Sequence, residues 1–327
     1  FAGISGSSTA DAAGIGSLLI PQMKKEGYHP SFAVAITACS AVMGVIIPPS
    51  ILMVVWGGLM SVSIGGLFLA GVVPGILIAA AQMITVYVYA KRYGYPVYAR
   101  STLKELGVAF LSSLLALMTP VIIVGGIVSG FFTPTEASVV AVVYSLFLGL
   151  VIYRTVTPTR LPIILYDSAR FAALSLFCIG TASAFGWALA YFKIPAALVA
   201  QIDSLGLGVV GTGILVAAAF LLIGMFIDAI PAIIILGTVL WPVVEHVGMH
   251  PIHFAIIGFI SLAFGLVTPP YGLCLLIAAA IGEVKLIKTL KDVSIILLPM
   301  LAILMLVILL PDLILALPRW LMPAFVL

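Results

Sequence analysis

Two short stretches of this chain carry the residue types that bind a small cation and a polar solute together. The first reads Gly3-Ile4-Ser5-Gly6-Ser7-Ser8-Thr9-Ala10-Asp11-Ala12, a row of small hydroxyl residues ending in a carboxylate. The second reads Gly224-Met225-Phe226-Ile227-Asp228-Ala229. Each is followed by a helix-breaking run: Gly44-Val45-Ile46-Ile47-Pro48-Pro49-Ser50 after the first, Gly265-Leu266-Val267-Thr268-Pro269-Pro270-Tyr271 after the second. Two prolines in a row remove two backbone donors and free carbonyls one turn back, so each run predicts a kink lined with carbonyl oxygens. Carbonyl and hydroxyl oxygens together are the donor set that a hard cation such as Na+ requires. Serine and glycine alone would equally suit close helix packing, and their place beside a broken helix favours the ion.

Ionisable groups within apolar segments are few, and burial in hydrocarbon makes each a functional candidate. Asp11, Asp228 and Glu136 qualify. For the two aspartates an N-cap role and ligand contact are both open, and both can hold. Asp228-Ala229 corresponds to Asp11-Ala12 if a four-residue gap is allowed. Glu136 follows Thr133-Pro134-Thr135, a helix-start pattern, which points to capping.

The elements that must position these groups come from a duplication. Shifting residues 16–52 forward by 221 aligns them without a gap, and the matches include Gly16/Gly237, Pro21/Pro242, Gly27/Gly248, Pro30/Pro251, Gly44/Gly265, Pro48/Pro269 and Pro49/Pro270. Matches that concentrate on Gly and Pro in an apolar chain predict paired broken helices with a binding site at the bilayer midplane. Composition sets the solvent: 327 residues at 64% hydrophobic and 8% charged cannot hide their apolar surface in a soluble core. The fold class is therefore all-α and polytopic in the membrane, with inverted repeats, two re-entrant hairpins and two broken helices.

Apolar runs between charges and turn residues give the helices. A hairpin arm is expected at 8–25, a broken helix at 30–46 and 50–60, and a span at 66–91. An interfacial segment at 100–115 and a separate span at 117–131 follow, then spans at 135–153 and 162–192. The second hairpin is expected at 196–247, its broken helix at 251–267 and 271–282, and a last span at 293–316. This grouping puts residues 1–60 and 196–282 in the duplicated core, 61–195 in scaffold helices with an interfacial arm, and 283–327 in a C-terminal scaffold helix. The second copy has about 100 residues of membrane segments ahead of its hairpin and the first has none, so about 100 further N-terminal residues are expected.

Threaded through a membrane, Lys24, Lys25, Lys91, Arg92, Arg100, Lys104, Arg154, Arg160, Lys285, Lys288 and Lys291 share one side, against Lys193 and Arg319 on the other. The first side is cytoplasmic by the positive-inside rule. The matched loops Lys24-Lys25 and Glu245-His246 then fall on opposite faces, so the repeats are inverted. Arg170, inside its span, reads as a snorkelling residue.

Other chemistries fit less well. The net charge of +3 reflects loop cations and implies no nucleic-acid surface. Cys39, Cys178 and Cys274 lie in apolar runs without metal-ligand spacing. Gly206-Leu207-Gly208-Val209-Val210-Gly211 meets the dinucleotide pattern without a preceding strand. Gly3-Ile4-Ser5-Gly6 resembles the serine motif of rhomboid intramembrane proteases, but His29, His246, His250 and His253 all fall near helix ends, away from a membrane-depth serine. An ion channel would need a continuous lined pore, which inverted repeats within one chain do not favour.

With these residues in hand, the chain resembles the large membrane (M) subunit of tripartite ATP-independent periplasmic (TRAP) transporters. The resemblance rests on FAGISGSSTADAAGIGSLLIPQMKKEGY at 1–28, IIPPSILMVVWG at 46–57 and GFFTPTEASVVAVVYSL at 130–146, and it runs to the C-terminal region. It implies no enzyme but an elevator-type symporter in the bacterial inner membrane, driven by Na+. A periplasmic substrate-binding protein (P) and a small membrane (Q) subunit would be its partners beside membrane lipid. It implies that Ser5, Ser7 and the backbone at Gly44, Ile47 and Pro49 hold one Na+, and that Gly265, Thr268, Pro270 and Gly224 hold a second. Ser7, Asp11, Ser50, Asp228 and Tyr271 would border the substrate, an organic acid of the sialic acid or C4-dicarboxylate class.

Overall fold

The computed structural model describes residues 2–95, 101–204 and 206–323, and these are helical and without a strand. The order is α1 (Ala2–Ser5), α2 (Ser8–Lys25), α3 (Pro30–Ala41), a 3-10 turn (Val42–Val45), α4 (Ile51–Met60), α5 (Ile64–Tyr93), α6 (Leu103–Val128) and α7 (Pro134–Phe147). A π turn (Leu148–Ile152) follows, then α8 (Leu161–Tyr191), α9 (Ile194–Ser204), α10 (Val209–Gly224), α11 (Ala229–His246), α12 (Pro251–Gly265), α13 (Leu273–Gly282), α14 (Leu286–Leu309) and α15 (Pro311–Leu321).

Among the described residues, six helical segments are long and apolar enough to cross a membrane: α5, α6, α7 with its π turn, α8, α11 and α14. The remaining apolar helices, α3 with its 3-10 turn, α4, α10, α12 and α13, run 10–17 residues. At 1.5 Å per residue none of these reaches across a hydrocarbon core of about 30 Å. Short apolar helices paired across a proline break are what the repeat predicted. Both Pro48-Pro49 and Pro269-Pro270 are cis.

Residues 1–96 and 182–327 form one compact unit and residues 97–181 another. At the centre of the first unit lie α3 and α12. Every residue of α12 from Ile252 to Gly265 is buried, and a helix apolar on all sides belongs inside a larger bundle. Around these two the packing is exchanged between the halves. The arm α2 receives α13, with Ile281 against Gly16, and the arm α11 receives α4, with Trp56 against Gly237. A Cβ on Gly16 would lie 3.3 Å from Ile281 Cδ1, and one on Gly237 2.8 Å from Trp56 Cζ3. The matched glycine is therefore the seat for the other half's broken helix. Trp56 continues inward to Phe254 and Phe259 of α12 at ring distances of 5.1 and 5.5 Å, edge-on. Cys39 and Cys274 are buried among these helices.

In the other unit, capping boxes start α6 (Thr102 with Glu105) and α7 (Thr133 with Glu136), so Glu136 is a structural cap. The Tyr144 hydroxyl donates to the Leu115 carbonyl at 2.8 Å and ties α7 to α6. Arg170 is exposed on α8.

Two helix expectations are corrected. The interfacial segment at 100–115 and the span at 117–131 are one helix from Leu103, because Leu114-Leu115-Ala116-Leu117-Met118 offers no break between them, and Pro120 sits inside α6 without ending it. Neighbouring groups in a membrane can satisfy the backbone that such a proline frees. The single last span at 293–316 is two helices: Pro311 ends α14 and takes the first position of α15. α15 buries Ile314, Leu315 and Pro318 and turns Trp320 and the Arg319–Asp312 ion pair outward, as an interfacial helix does.

Candidate functional site

The first tip is built by a glycine and a cap. Gly6 has φ +63°, and a Cβ there would lie 2.9 Å from the Pro49 carbonyl oxygen, so the tip touches the breaker where only glycine fits. The Gly6 carbonyl accepts the Ile51 amide at 3.2 Å, fixing the tip to the start of α4. Ser7 is extended and caps α2, its Oγ accepting the Ala10 amide at 3.4 Å and lying 3.2 Å from Thr9 Oγ1. The Ser7 amide donates to Ser5 Oγ at 3.4 Å. Asp11 follows one turn later and is 1% exposed.

Asp11 meets the broken helix directly. A Cβ on Gly44 would lie 2.6 Å from Asp11 Oδ2 and 3.1 Å from the Ser7 carbonyl carbon. Asp11 Oδ1 is buried and has no hydrogen-bond partner, an arrangement that leaves that oxygen without its solvation. Asp11 is therefore not the N-cap of α2; Ser7 is. The structure brings Ser5, Ser7, Asp11 and the Gly44 backbone together. Ile47 and Pro49 are half-buried on the same breaker, whereas Ser50 is buried and its hydroxyl donates to the Val45 carbonyl at 2.9 Å.

At the second tip backbone meets backbone. A Cβ on Gly265 would lie 2.6 Å from the Leu221 carbonyl oxygen and 2.7 Å from Gly224 Cα; one on Gly224 would lie 2.8 Å from the Leu262 carbonyl oxygen. The Met225 carbonyl accepts the amides of Tyr271 and Gly272 at 3.3 and 3.4 Å. Thr268 Oγ1 donates to the Phe264 carbonyl at 2.7 Å and its amide to Gly265 at 3.0 Å. Pro270 and Tyr271 are exposed, and Asp228 is an exposed N-cap of α11 whose side chain makes no capping bond.

One sequence correspondence changes. Ser8 and Ala229 begin α2 and α11, Lys25 and His246 end them, and Pro30 and Pro251 begin α3 and α12, each pair 221 apart. No gap is needed, so Asp228 stands where Ser7 stands, and Asp11 matches Ala232. The acids of the two halves are not equivalent.

Cys274 on α13, which sequence reasoning set aside as lacking metal-ligand spacing, is buried and donates its amide to the Leu266 carbonyl of the second break at 3.0 Å. Thr9 and Gly6 were also missed as individuals, although the hydroxyl row contained them.

Residues 1–313 match the family described as "Tripartite ATP-independent periplasmic transporter, DctM component". The chain belongs to that family. It is the large permease of a TRAP transporter, a multi-pass inner-membrane transport protein and not an enzyme. It is 36% identical over 319 residues to the sialic acid TRAP transporter large permease protein SiaM of Vibrio cholerae, covering 98% of this chain and 75% of that protein. It is also 36% identical over 321 residues to the C4-dicarboxylate TRAP transporter large permease protein DctM of Pseudomonas aeruginosa, covering 98% and 75%. The isethionate TRAP transporter permease protein DctMQ of Oleidesulfovibrio alaskensis is 36% identical over 321 residues, covering 98% of this chain and 50% of that protein.

Proposed function

We propose that this permease imports an organic acid of the sialic acid or C4-dicarboxylate class by Na+ symport, by an elevator motion, from a periplasmic binding protein and beside a small membrane subunit. The observation that carries the ion is the buried, unpartnered Asp11 Oδ1 among hydroxyls and helix-break backbone. A buried charge of that kind calls for a counter-charge, and oxygen-only donors suit Na+. Ser5, Ser7 and the carbonyls at Gly44, Ile47 and Pro49 would hold one ion. Gly224, Gly265, Thr268 and Pro270 would hold the second, chiefly through backbone oxygens. Bound Na+ would supply positive charge to a site with little fixed charge of that sign.

For the substrate, the exposed Asp228 and Tyr271 and the first turns of α2 and α11 would form the binding surface, helix N-termini meeting the acid's carboxylate. Asp11, buried, acts from beneath through the ion. Equal identity to a sialic acid and a C4-dicarboxylate permease supports the organic-acid class and leaves both acids for the experiment. Residues 1–60 and 196–282 are proposed as the moving core, with 61–195 and 283–327 as its support.

The test is uptake of radiolabelled sialic acid and succinate into proteoliposomes holding the full membrane complex, with and without an inward Na+ gradient and the cognate binding protein. Uptake that requires both supports the reading. Uptake of either acid at full rate without Na+ overturns the symport.

A further inference from the structure

The C-terminal turns of α5 and the first turns of α14 leave a groove with a character unlike that of the transport site. Its cavity is about 290 Å³, with Ile84, Val88 and Ile295 as an apolar floor and Arg92, Tyr93 and Lys291 at the mouth. A second cavity of about 260 Å³ shares Tyr89, Tyr93 and Lys291 and extends to Ser31, Lys288 and Asp292. Asp292 is the acid within reach, and it is already occupied. Ser31 Oγ donates to its Oδ2 at 2.5 Å and the Tyr89 hydroxyl to its Oδ1 at 2.8 Å, while His29 Nδ1 bonds Ser31 Oγ at 2.8 Å. Among the described residues Arg92, Lys288 and Lys291 have no ion-pair partner. Neighbouring Lys91 is placed over the Tyr87 ring at 5.1 Å.

Basic residues at cytoplasmic helix ends are common and by themselves mark only sidedness. Here two of them, Arg92 and Lys291, stand at a formed cavity whose floor is hydrocarbon and continues onto exposed apolar surface at Met83 and Leu298. A free phosphate would use the cations and leave the floor idle, and an uncharged lipid would do the reverse. A single amphiphile with an anionic head uses both, and tyrosines at the mouth suit headgroup level.

We propose that this groove binds one anionic phospholipid, its phosphate met by Arg92 and Lys291 and one acyl chain laid over Ile84, Val88 and Ile295. The bound lipid closes the seam between α5 and α14 beside Asp292, which already links these helices to α3 through Tyr89 and Ser31. The site is separate from the two tips and does not depend on the sodium reading.

The test uses the full membrane complex purified in zwitterionic detergent. Native mass spectrometry counts retained phospholipid, and thermal unfolding is followed with added phosphatidylglycerol, phosphatidylethanolamine or glycerol 1-phosphate. Phosphatidylglycerol alone should be retained and raise the melting midpoint. Arg92→Gln with Lys291→Gln should weaken that affinity roughly tenfold to thirtyfold, since each cation near the headgroups adds to the binding, and Arg92→Lys with Lys291→Arg should restore it. Val88→Trp keeps every charge and fills the floor, and it should also lose the lipid, which decides the matter if the double variant fails to fold. Equal retention by Val88→Trp or by the double glutamine variant overturns the proposal. So does an equal shift with phosphatidylethanolamine, or one with glycerol 1-phosphate, which would make the groove a soluble-anion site.

Discussion

The two hairpin tips descend from one repeated unit and have diverged in what they offer a ligand. In the first, side chains converge: three hydroxyl residues, a buried carboxylate and a glycine that admits it. In the second, α10 and α12 touch through Gly224 and Gly265, the hydroxyl of Thr268 is turned back onto α12 at Phe264, and the acid is outside. At the matched N-cap one half has Ser7 and the other Asp228. A duplicated scaffold thus gives two oxygen-lined breaks of unequal character, with a buried acid beside the first and an exposed acid at the tip facing the second.

The contrast is broken most severely at the glycines. Gly265→Ala places a Cβ against backbone that cannot yield, so it should destabilise the complex by about 3 kcal/mol and abolish uptake. Gly44→Ala meets the end of the Asp11 side chain, so the melting midpoint should fall less while Na+ stimulation disappears. Thermal unfolding and uptake of the two variants side by side check this, and equal loss of folded protein from both would erase the distinction.

Asp11→Asn should lower Na+-driven uptake by roughly a hundredfold, because the charge proposed to meet a desolvated cation is gone. Asp228→Asn should cost about tenfold, mainly through the substrate KM, because an exposed group is worth less. Uptake measured against both Na+ and substrate concentration separates them, and an Asp11→Asn permease with unchanged Na+ dependence would remove the ion from the first tip.

Ser7→Ala should raise the half-saturating Na+ concentration about tenfold and destabilise α2 by about 1 kcal/mol through loss of its cap. Thr268→Ala should raise it about threefold, since that hydroxyl already donates to a neighbouring carbonyl. Titrations of Na+-dependent uptake give both values, and the reverse order would make the second tip the side-chain site. The smallest effect belongs to Ser50→Ala, which loses one bond to the Val45 carbonyl, about 1 kcal/mol of stability, with Na+ affinity unchanged.

Much of this was legible because Gly and Pro mark breaks in the membrane as they do in water. The Pro30/Pro251 and Pro48/Pro269 matches gave the ends of both broken helices within a few residues. The pairing of Asp11 with Asp228 misled because like residues invite alignment, whereas helix starts fix the true register, and there a hydroxyl faces an acid. The division at 115–117 misled because the charged, amphipathic start of α6 reads as a separate interfacial helix, whereas its apolar run goes on unbroken into the span. Asp292 was passed over among Lys288 and Lys291 as a loop charge. Its partners Tyr89 and Ser31 lie 203 and 261 residues away, beyond any local pattern.

The exchanged seating of α13 on α2 and of α4 on α11 also imposes a timetable on synthesis. A ribosome delivers α2, with the open notch at Gly16, long before residue 281 exists to fill it. Until then the face of α2 around Gly16 that α13 covers stays open. Contacts between such distant stretches of chain form last. A message cut short after α12 would leave α2 packed on α3 but without α13 and exposed to quality-control proteases, so roughly the chain's final fifth certifies the rest.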